Sequence, residues 1–485
     1  MQNQTINAND VNTWHDTADV IILGYGIAGA CAALEAKRAG ADVLVVERAS
    51  GGGGTSATSS GYFYLGGGTA VQKATGDEDD ADNMFRFLAT STAAPDSDIV
   101  KRYCDGSVEH FDWLEAQGVP FERTAYREKT LSTLTTECLT STGNEKVWPY
   151  RDIARPCPRG HRVAMAGDAA GGKAMEALLG QCASENIRTS CDSQAIALIV
   201  DAGRVVGVRV RQYDSIKDLK ADKAVIIATG AFGNNPAMVA KYAPQMQGNT
   251  YPIGIPYNDG AGIELGISVG AATQAMQNVM PTASFYPPGQ LLKGIVVNNR
   301  GKRFVAEDSY HGRTASFVME QPEGKAWLIL DAEIFAYPEL EMFGHSLVDG
   351  WETVEQMEAG LKLPPGALQK TLTEYNRDAA AGEDRRFFKY KDWLKPLDKA
   401  PYAAFDISFQ KSTYFFFTLG GLKVSARAEV LDANGTAIPG LLAAGACACT
   451  IPQDGKGYAS GLSLGPASFF GRIAGQQAAQ AARRD

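Results

Sequence analysis

Basic residues are in the minority in this sequence. The 485 residues include 46 Lys and Arg against 55 Asp and Glu, which gives a formal net charge of −9 at pH 7. Nowhere along the chain do basic residues cluster with interleaved aromatics. Because the phosphates of a nucleic acid demand clustered Lys and Arg, this composition argues against a nucleic-acid partner and favours a small molecule.

The chain also lacks the hydrophobic runs that targeting and membrane insertion require. Residues 1–20 are polar, with neither a basic n-region nor an apolar h-region, so they do not resemble a signal peptide. The longest apolar stretch, residues 20–34, is interrupted by glycines and a tyrosine, which is unlike a membrane span. We therefore expect no integral membrane segment.

The eight cysteines contain no Cys-x-x-Cys pair. Their scattered positions exclude an obvious zinc site or attached c-type haem and suit a reducing compartment. Cys447 and Cys449 flank one residue, but the alanines and glycines around them favour buried small residues over a redox pair. We expect no bound metal and a cytoplasmic location.

Residues 19–47 have the pattern of a βαβ unit. An apolar run at 19–23 ends in glycine, an Ala-rich segment without breakers spans 29–39, and a second apolar run follows at 42–47. Such a unit implies parallel strands and a right-handed crossover. Further patterns predict a helix at 170–185, a hairpin at 193–210 that turns at 201–203, a buried strand at 224–230 and a long helix at 467–482.

The first predicted turn carries a G-x-G-x-x-G motif, Gly24-Tyr25-Gly26-Ile27-Ala28-Gly29. The first glycine allows the tight turn, the second lets backbone N–H groups approach a pyrophosphate, and the third permits close helix–strand packing. The helix N-terminus offsets the phosphate charge. Glu47, roughly twenty residues further on, is placed to accept hydrogen bonds from a ribose 2′-OH. The sequence therefore predicts a dinucleotide site.

Three further segments favour FAD over NAD. The Gly-, Ser- and Thr-rich residues 50–70 follow the second strand, and we expect them to form an ordered loop that wraps the cofactor. Residues 227–230, Ile-Ala-Thr-Gly, resemble the strand end by which FAD folds return to the nucleotide. Residues 440–445 and 461–465 resemble the strand and helix that close over the isoalloxazine ring, where a helix N-terminus stabilises the reduced flavin.

The predicted cofactor-binding residues come from all of these segments. No histidine lies in residues 51–61, so a His-linked flavin is not expected and FAD is predicted to bind non-covalently. The residues are Gly24, Gly26, Ile27, Ala28, Gly29, Glu47, Arg48, Gly54, Thr55, Ser56, Ser60, Gly61, Ile196, Thr229, Gly230, Gly445, Ser463 and Leu464.

Taken together, these motifs resemble the fumarate reductase/ketosteroid dehydrogenase group of FAD-dependent flavoproteins over essentially the whole chain. Residues 297–304, VNNRGKRF, and 418–423, TLGGLK, extend the resemblance. It implies an α/β fold, in which a Rossmann-like FAD-binding domain with a parallel sheet and β-hairpin elements carries an inserted α+β cap (catalytic) domain. We assign residues 1–280 and 409–485 to the FAD-binding domain and 281–408 to the cap.

Within this group, three segments resemble the members that remove hydrogen across C4–C5 of 5α-saturated 3-ketosteroids. These are residues 60–69, 307–310 and 457–461. The resemblance implies an oxidoreductase of steroid and lipid metabolism that gives a 4-ene-3-ketosteroid and could also run in reverse. Its partners would be a steroid substrate and an external electron acceptor, such as a quinone or a dye.

The resemblance assigns catalytic roles to Tyr310, Tyr458 and Ser460. Tyr458 and a backbone N–H near Leu462 would hold the C3 carbonyl oxygen, and FAD N5 would accept the C5 hydrogen as hydride. Ser460 would take the C4 proton with help from Tyr310. Because serine alone is a poor base, the relay through Tyr310 is chemically required. Residues 62–64 are predicted to be pocket wall or core.

Alternative members of the group differ in their polar residues. A fumarate reductase must neutralise two carboxylates with Arg and His, yet residues 457–471 contain neither. His311 and Arg313 lie nearby, and we interpret them as surface or structural residues. A Δ1-dehydrogenase would have Pro-Gly after the tyrosine, where Ala459-Ser460 follow here. Another enone reductase of this fold, or a flavin electron-transfer module without a substrate, are the remaining alternatives.

Overall fold

Two hydrophobic cores organise the chain, which a computed structural model describes over residues 5–92, 96–128, 133–283, 289–336 and 346–483. The larger core includes residues from Ala18 to Ala479, whereas the smaller core uses residues between Leu291 and Tyr414. The chain therefore leaves the first core, builds the second and returns. The division at residues 280 and 408 stays a prediction, which the two cores support.

The strands alternate with helices in the first third of the chain and cluster in meanders after it. In chain order the described strands are β1 (Ile6–Asn7), β2 (Asp16–Leu23), β3 (Val43–Val46), β4 (Tyr62–Tyr64), β5 (Leu139–Thr140), β6 (Gly160–Arg162), β7 (Arg188–Ser190), β8 (Ser193–Asp201), β9 (Arg204–Gln212), β10 (Ser215–Ile227), β11 (Thr250–Pro252), β12 (Thr273–Gln274), β13 (Val279–Ala283), β14 (Ile295–Asn298), β15 (Ala326–Asp331), β16 (Ser346–Trp351), β17 (Tyr402–Asp406), β18 (Tyr414–Thr418), β19 (Gly421–Lys423), β20 (Glu429–Leu431), β21 (Ala437–Ala443) and β22 (Ala448–Cys449).

The described α-helices vary in length from 4 residues in the shortest to 17 in the longest. They are α1 (Ile27–Arg38), α2 (Gly54–Ala57), α3 (Ala70–Thr75), α4 (Ala81–Ser91), α5 (Ser97–Asp105), α6 (Ser107–Ala116), α7 (Tyr150–Ile153), α8 (Ala170–Ser184), α9 (Pro236–Tyr242), α10 (Ala261–Ser268), α11 (His311–Met319), α12 (Val354–Gly360), α13 (Ala367–Ala380) and α14 (Leu464–Gln480). In this part of the chain, no helix is both long and apolar enough to cross a membrane.

The largest sheet combines a parallel half with an antiparallel meander. In the parallel half, strands β7, β3, β2, β10 and β21 lie side by side in this order and run in the same direction. In the meander, β8 pairs with β9 and β9 pairs with β10, both antiparallel. Strand β10 belongs to both halves because it is 13 residues long. Residues 20–23 of β2 are almost fully buried, as expected for an apolar strand covered on both faces. The structure thus has the predicted Rossmann-like α/β fold.

The smaller core lies against a four-stranded antiparallel sheet, in the order β14-β15-β17-β16. Helices α11, α12 and α13 contribute residues to the same core. A separate three-stranded sheet, β11-β18-β13, is formed by strands from either side of this region of the sequence. The chain passes from β13 into the smaller core and returns from it at β18, so this sheet lies where the two cores meet.

The structure confirms most of the elements predicted from the sequence. The βαβ unit is β2, α1 and β3, the hairpin is β8 and β9, and the two long helices are α8 and α14. The strand predicted at 224–230 begins earlier because its first half pairs with β9, and it ends at Ile227. Residues 50–70 are ordered as predicted, but they include α2 and β4 because residues 62–64 pair with β6.

Candidate functional site

A cavity of about 610 Å³ opens at the carboxyl ends of β2, β3 and β10 and extends to the start of α11. Its volume lies within the range of cofactor and ligand sites. The carboxyl ends of parallel strands are where α/β sheets bind nucleotides. Both the predicted cofactor residues and the predicted catalytic residues are found in its wall.

The glycine turn at the end of β2 has the geometry that its sequence predicts. Gly24 adopts a φ of 100°, and a side chain there would come within 2.5 Å of the Ala228 carbonyl oxygen. Gly29 does not line the cavity; a side chain on it would clash with the Gly24 carbonyl, so it serves the close helix–strand packing. The N-cap Gly26 provides no side-chain cap, and the Ile27 N–H donates to Ser56 Oγ at 3.2 Å, so Ser56 and the start of α1 together form the part of the wall where a phosphate would bind.

The carboxylate of Glu47 is fixed at the wall of the cavity. One oxygen accepts a hydrogen bond from the Tyr25 N–H and the other accepts one from the Ala49 N–H, both at 2.7 Å. Arg48 also lines the cavity, but its guanidinium pairs with Asp259 and lies 4.7 Å from the centre of the Tyr257 ring. A carboxylate oriented in this way fits the ribose of a dinucleotide.

The remaining predicted cofactor residues line the cavity with one exception. Ile196 does not line the cavity, whereas its neighbour Ala195 does, and the pairing of β8 with β9 shifts register between Ala195 and Ala197; the role of Ile196 stays a prediction. The residues that do line it are Gly24, Gly26, Ile27, Ala28, Glu47, Arg48, Gly54, Thr55, Ser56, Ser60, Gly61, Thr229, Gly230, Gly445, Ser463 and Leu464. This set fits a dinucleotide that extends from the glycine turn to the start of α14.

The three predicted catalytic residues meet at one end of the cavity. The hydroxyl of Tyr310 lies 2.9 Å from Ser460 Oγ, within hydrogen-bonding distance. The hydroxyl of Tyr458 lies 2.9 Å from Ser463 Oγ. The rings of Tyr310 and Tyr458 are 6.1 Å apart, so both phenols face the same part of the cavity.

Tyr458 is held as a neutral hydrogen-bond donor. Burial raises its pKa to about 12, although the hydrogen bonds from Ser463 act in the opposite direction. Its ring packs edge-on against Phe417, with the ring centres 5.1 Å apart. The phenol therefore keeps its proton at neutral pH and can donate it to a carbonyl oxygen.

The second predicted donor to that oxygen, a backbone N–H near Leu462, stays a prediction. The N–H of Leu462 itself donates to the Ala459 carbonyl at 3.1 Å and closes a tight turn. Gly461 has a φ of 101° in this turn, and a side chain there would clash with Tyr64. Tyr458 is the predicted donor whose geometry the structure describes in most detail.

The backbone before Tyr458 passes very close to a neighbouring helix. Any side chain on Gly457 would overlap the carbonyl of Ser91, the last residue of α4. Glycine is therefore required on both sides of the segment that carries Tyr458 and Ser460. These two contacts fix the segment against the larger core.

His311 and Arg313 lie in different environments. His311 is buried and lines the cavity, so it is not a surface residue, and its Nδ1 lies 2.6 Å from Thr282 Oγ1, which is a pairing of the structural kind that we expected. Its position follows from α11, which starts at His311 directly after Tyr310. Arg313 donates to the Tyr150 hydroxyl at 2.7 Å and is structural, as predicted.

The aromatic residues near the cavity divide between wall and core. Tyr62 lines the cavity, and its hydroxyl accepts a hydrogen bond from the Thr133 N–H at 3.0 Å. Phe63 and Tyr64 are fully buried core residues. Phe415 and Phe417 of β18 line the cavity but were not predicted. Their alternation with buried Phe416 is a signal that the sequence contains.

Comparison with known proteins agrees with this site. The model of the FAD binding domain family matches residues 19–455. The solved structure of 3-ketosteroid-delta4-(5alpha)-dehydrogenase from Rhodococcus jostii RHA1, in complex with 4-androstene-3,17-dione, is 38% identical, covers 98% of this chain and 100% of its own, and superposes with a TM-score of 0.93.

Two further relatives show the breadth of the group. A 3-oxo-5-alpha-steroid 4-dehydrogenase from Comamonas testosteroni is 29% identical over 91% of this chain and 94% of its own length. A probable fumarate reductase from Shewanella frigidimarina is 28% identical over 96% of this chain and 75% of its own. The chain belongs to the FAD binding domain family, among FAD-dependent oxidoreductases related to ketosteroid dehydrogenases and fumarate reductases.

Proposed function

We propose that this protein removes hydrogen across C4–C5 of a 5α-saturated 3-ketosteroid and so forms a 4-ene-3-ketosteroid. The observation that carries the proposal is the Tyr310–Ser460 hydrogen bond of 2.9 Å beside the neutral phenol of Tyr458. The Rhodococcus and Comamonas proteins named above are steroid dehydrogenases of this bond type, which supports the same substrate class here.

The cofactor site would hold FAD between the glycine turn and the start of α14. Glu47 would accept hydrogen bonds from the ribose, and the N-terminus of α1 would face the pyrophosphate together with Ser56. Bound FAD supplies an acceptor for the hydrogen that leaves C5 as hydride. Non-covalent attachment remains part of the proposal.

The phenol of Tyr458 would stabilise the C3 carbonyl oxygen as the α-proton leaves. Negative charge develops on that oxygen when C4 is deprotonated, and a buried donor stabilises it more than water would. The hydrogen bonds of Ser463 hold the phenol in place. No reorganisation of this donor is needed during the reaction.

The C4 proton would pass to the Ser460–Tyr310 pair. The serine oxygen accepts the proton while its own proton moves to the Tyr310 oxygen across the 2.9 Å hydrogen bond. The 2.9 Å distance and the two hydroxyl side chains suit general base catalysis by a coupled pair, since neither hydroxyl is a sufficient base alone. Tyr310 releases its own phenolic proton toward water in the same step, so neither oxygen ever carries an extra proton and both hydroxyls end in their starting state.

The charges of the cavity wall argue against a dicarboxylate substrate. Among the described residues that line it, Arg48 is the one arginine, and it is paired with Asp259. A fumarate reductase needs cations that clamp carboxylates, whereas the catalytic end offers hydroxyls and one histidine, His311, which is engaged with Thr282. The neutral ring ketone is the better match.

A quinone or a dye-like molecule is proposed as the electron acceptor, and the reverse reduction of a 4-ene uses the same groups. A cytoplasmic location also belongs to the proposal; eight cysteines without a disulfide among the described residues support it.

An anaerobic flavin-reduction assay tests the proposed function. The purified protein is mixed with a 5α-saturated 3-ketosteroid, and the flavin absorption band is followed together with the ultraviolet absorption of the product. We expect the flavin to bleach while a 4-ene-3-ketone forms that co-elutes with authentic 4-ene product. Formation of a 1-ene product, or bleaching by succinate but not by the steroid, would refute the proposal.

A further inference from the structure

The proton pair of the proposed reaction is assembled from two distant parts of the chain. Tyr310 packs in the larger core but directly precedes α11, whose Ala315 and Val318 belong to the smaller core, while Ser460 lies in the segment before α14. Their 2.9 Å hydrogen bond therefore links the start of α11 to the segment before α14. Some element must fix these two backbones relative to each other.

Residues 142–144 contact both of these backbones. The Thr142 carbonyl accepts a hydrogen bond from the Ser460 N–H at 2.9 Å, and the Thr142 hydroxyl donates to the Ser460 carbonyl at 2.8 Å. The Ser460 peptide groups are thus held in both directions. A side chain on Gly143 would approach the Ala459 side chain to 2.5 Å, so the two segments lie in close contact.

Asn144 joins the Tyr310 side to the Ser460 side through one side chain. Its Oδ1 accepts a hydrogen bond from the Tyr310 N–H at 2.8 Å, and its Nδ2 donates to the Lys456 carbonyl at 3.2 Å. The side chain is fully buried, with an exposure of 0%. Because Tyr310 stands at the N-cap position of α11, its N–H has no partner within that helix.

We propose that Asn144 is a positioning residue that sets the distance between the Tyr310 hydroxyl and Ser460 Oγ, with Thr142 holding the serine. This inference rests on the proposed function. Proton transfer requires donor and acceptor about 2.6–3.2 Å apart, so the observed pair has little room to move. A misplacement of about 1 Å costs on the order of 10²-fold in rate. One buried amide therefore controls the relay without touching the substrate.

The variant Asn144→Ala tests this role in the flavin-loaded protein, with 5α-saturated 3-ketosteroid as substrate. We expect kcat to fall by about 30- to 100-fold, with KM and flavin content close to wild type, because substrate and cofactor contacts remain. Asn144→Asp keeps an oxygen that accepts the Tyr310 N–H and should recover most of the lost kcat. The matched control is Asn278→Ala, whose side chain donates to the Gln453 carbonyl of the same C-terminal segment but bonds no catalytic residue.

A double-mutant cycle separates positioning from simple destabilisation. In a Ser460→Ala background the relay is already broken, so adding Asn144→Ala should cost little further activity. Independent effects would instead multiply to within about twofold. If Asn144→Ala does not fold, Thr142→Val provides a second, isosteric variant that removes the hydroxyl bond to Ser460; its loss of kcat should likewise vanish in the Ser460→Ala background.

The outcomes distinguish this inference from the proposed function. A wild-type protein that fails to oxidise the steroid refutes the proposed function. An active wild type whose Asn144→Ala variant keeps its kcat refutes the inference alone. Losses that multiply in the double mutant, or an equal loss in Asn278→Ala, refute it as well.

Discussion

Replacing Tyr458 by phenylalanine tests the central step of the proposed reaction. The change removes one hydroxyl and leaves the ring, which remains packed against Phe417 at 5.1 Å between ring centres. The lost group is the neutral donor that would stabilise the C3 oxygen. Loss of one such donor typically costs about 10²–10³ in kcat, or roughly 2.7–4 kcal/mol. We therefore expect a loss of this size in the rate of flavin reduction.

The effect on stability should be much smaller. Ser463 Oγ loses its partner at 2.9 Å, but it lies at the wall of the cavity, where water can replace the phenol. A typical net hydrogen bond contributes about 0.5–1.5 kcal/mol, and a protein of this size should tolerate that loss. FAD binding should be unchanged because the ring keeps its position.

The assay is the single-turnover bleaching of the flavin under anaerobic conditions, measured by stopped flow at saturating steroid. Tyr62→Phe is the matched control, since Tyr62 also lines the cavity while its hydroxyl is engaged with Thr133. We expect the control to reduce its flavin at nearly the wild-type rate. A Tyr458→Phe rate within about tenfold of wild type would refute the donor role, because that loss is smaller than any single donor of this kind produces.

Three further changes have defined outcomes. Glu47→Gln should weaken FAD binding about 10- to 100-fold, because a hydrogen bond to a charged group contributes about 1.5–3 kcal/mol and about 1.4 kcal/mol corresponds to a factor of ten in Kd. Titration of the apoprotein with FAD measures this change. An unchanged Kd contradicts the ribose role of Glu47. Gly457→Ala should destabilise the fold by about 1–3 kcal/mol in thermal unfolding, because the new methyl overlaps the Ser91 carbonyl, whereas Gly180→Ala in α8, which has open space, should not. Because the pKa of Tyr458 is raised to about 12, the phenol should stay protonated across the range in which an ordinary tyrosine ionises. The profile of kcat against pH should therefore show no loss from Tyr458 near pH 10. A decrease of kcat near pH 10 that disappears in Tyr458→Phe would contradict this.

The dinucleotide site could be predicted from the sequence because its signals are local. The roles of Gly24 and Gly29 depend on backbone angles and close approaches within a few residues, and the structure shows both. Glu47 follows at the end of the next strand, so its place at the cavity follows from the βαβ pattern alone.

The sequence is least informative where a single residue decides a register or a turn. The pairing of β8 with β9 shifts register beside Ile196, and such an irregularity leaves no clear mark in the sequence. The Leu462 N–H closes a tight turn at Gly461, which no pattern in the sequence revealed. The place of His311 at the cavity wall depends on where α11 begins.

Residues 142–144 were not predicted at all, for a different physical reason. Their contacts with Tyr310 and Ser460 join positions more than a hundred residues apart in sequence, with separations of 166 and 318 for Asn144 and Thr142. A buried asparagine in a short irregular segment has no periodic pattern that reveals such a role. Long-range polar contacts of this kind become visible only in three dimensions.

The distribution of charge in the cavity favours a neutral substrate at its catalytic end. At the nucleotide end, the charges are fixed and paired: Glu47 by two N–H groups and Arg48 by Asp259. At the catalytic end, the groups that meet are neutral hydroxyls, and burial favours the protonated form of Tyr458. Bringing a carboxylate to this end would cost several kcal/mol without a cation to pair with it. A ketone carries no charge on arrival and acquires it only as its α-proton leaves, when the phenol can stabilise it. In the proposed reaction, a wall whose one described arginine is paired would favour the neutral ketone, and the phenol–serine pair would determine which bond is oxidised.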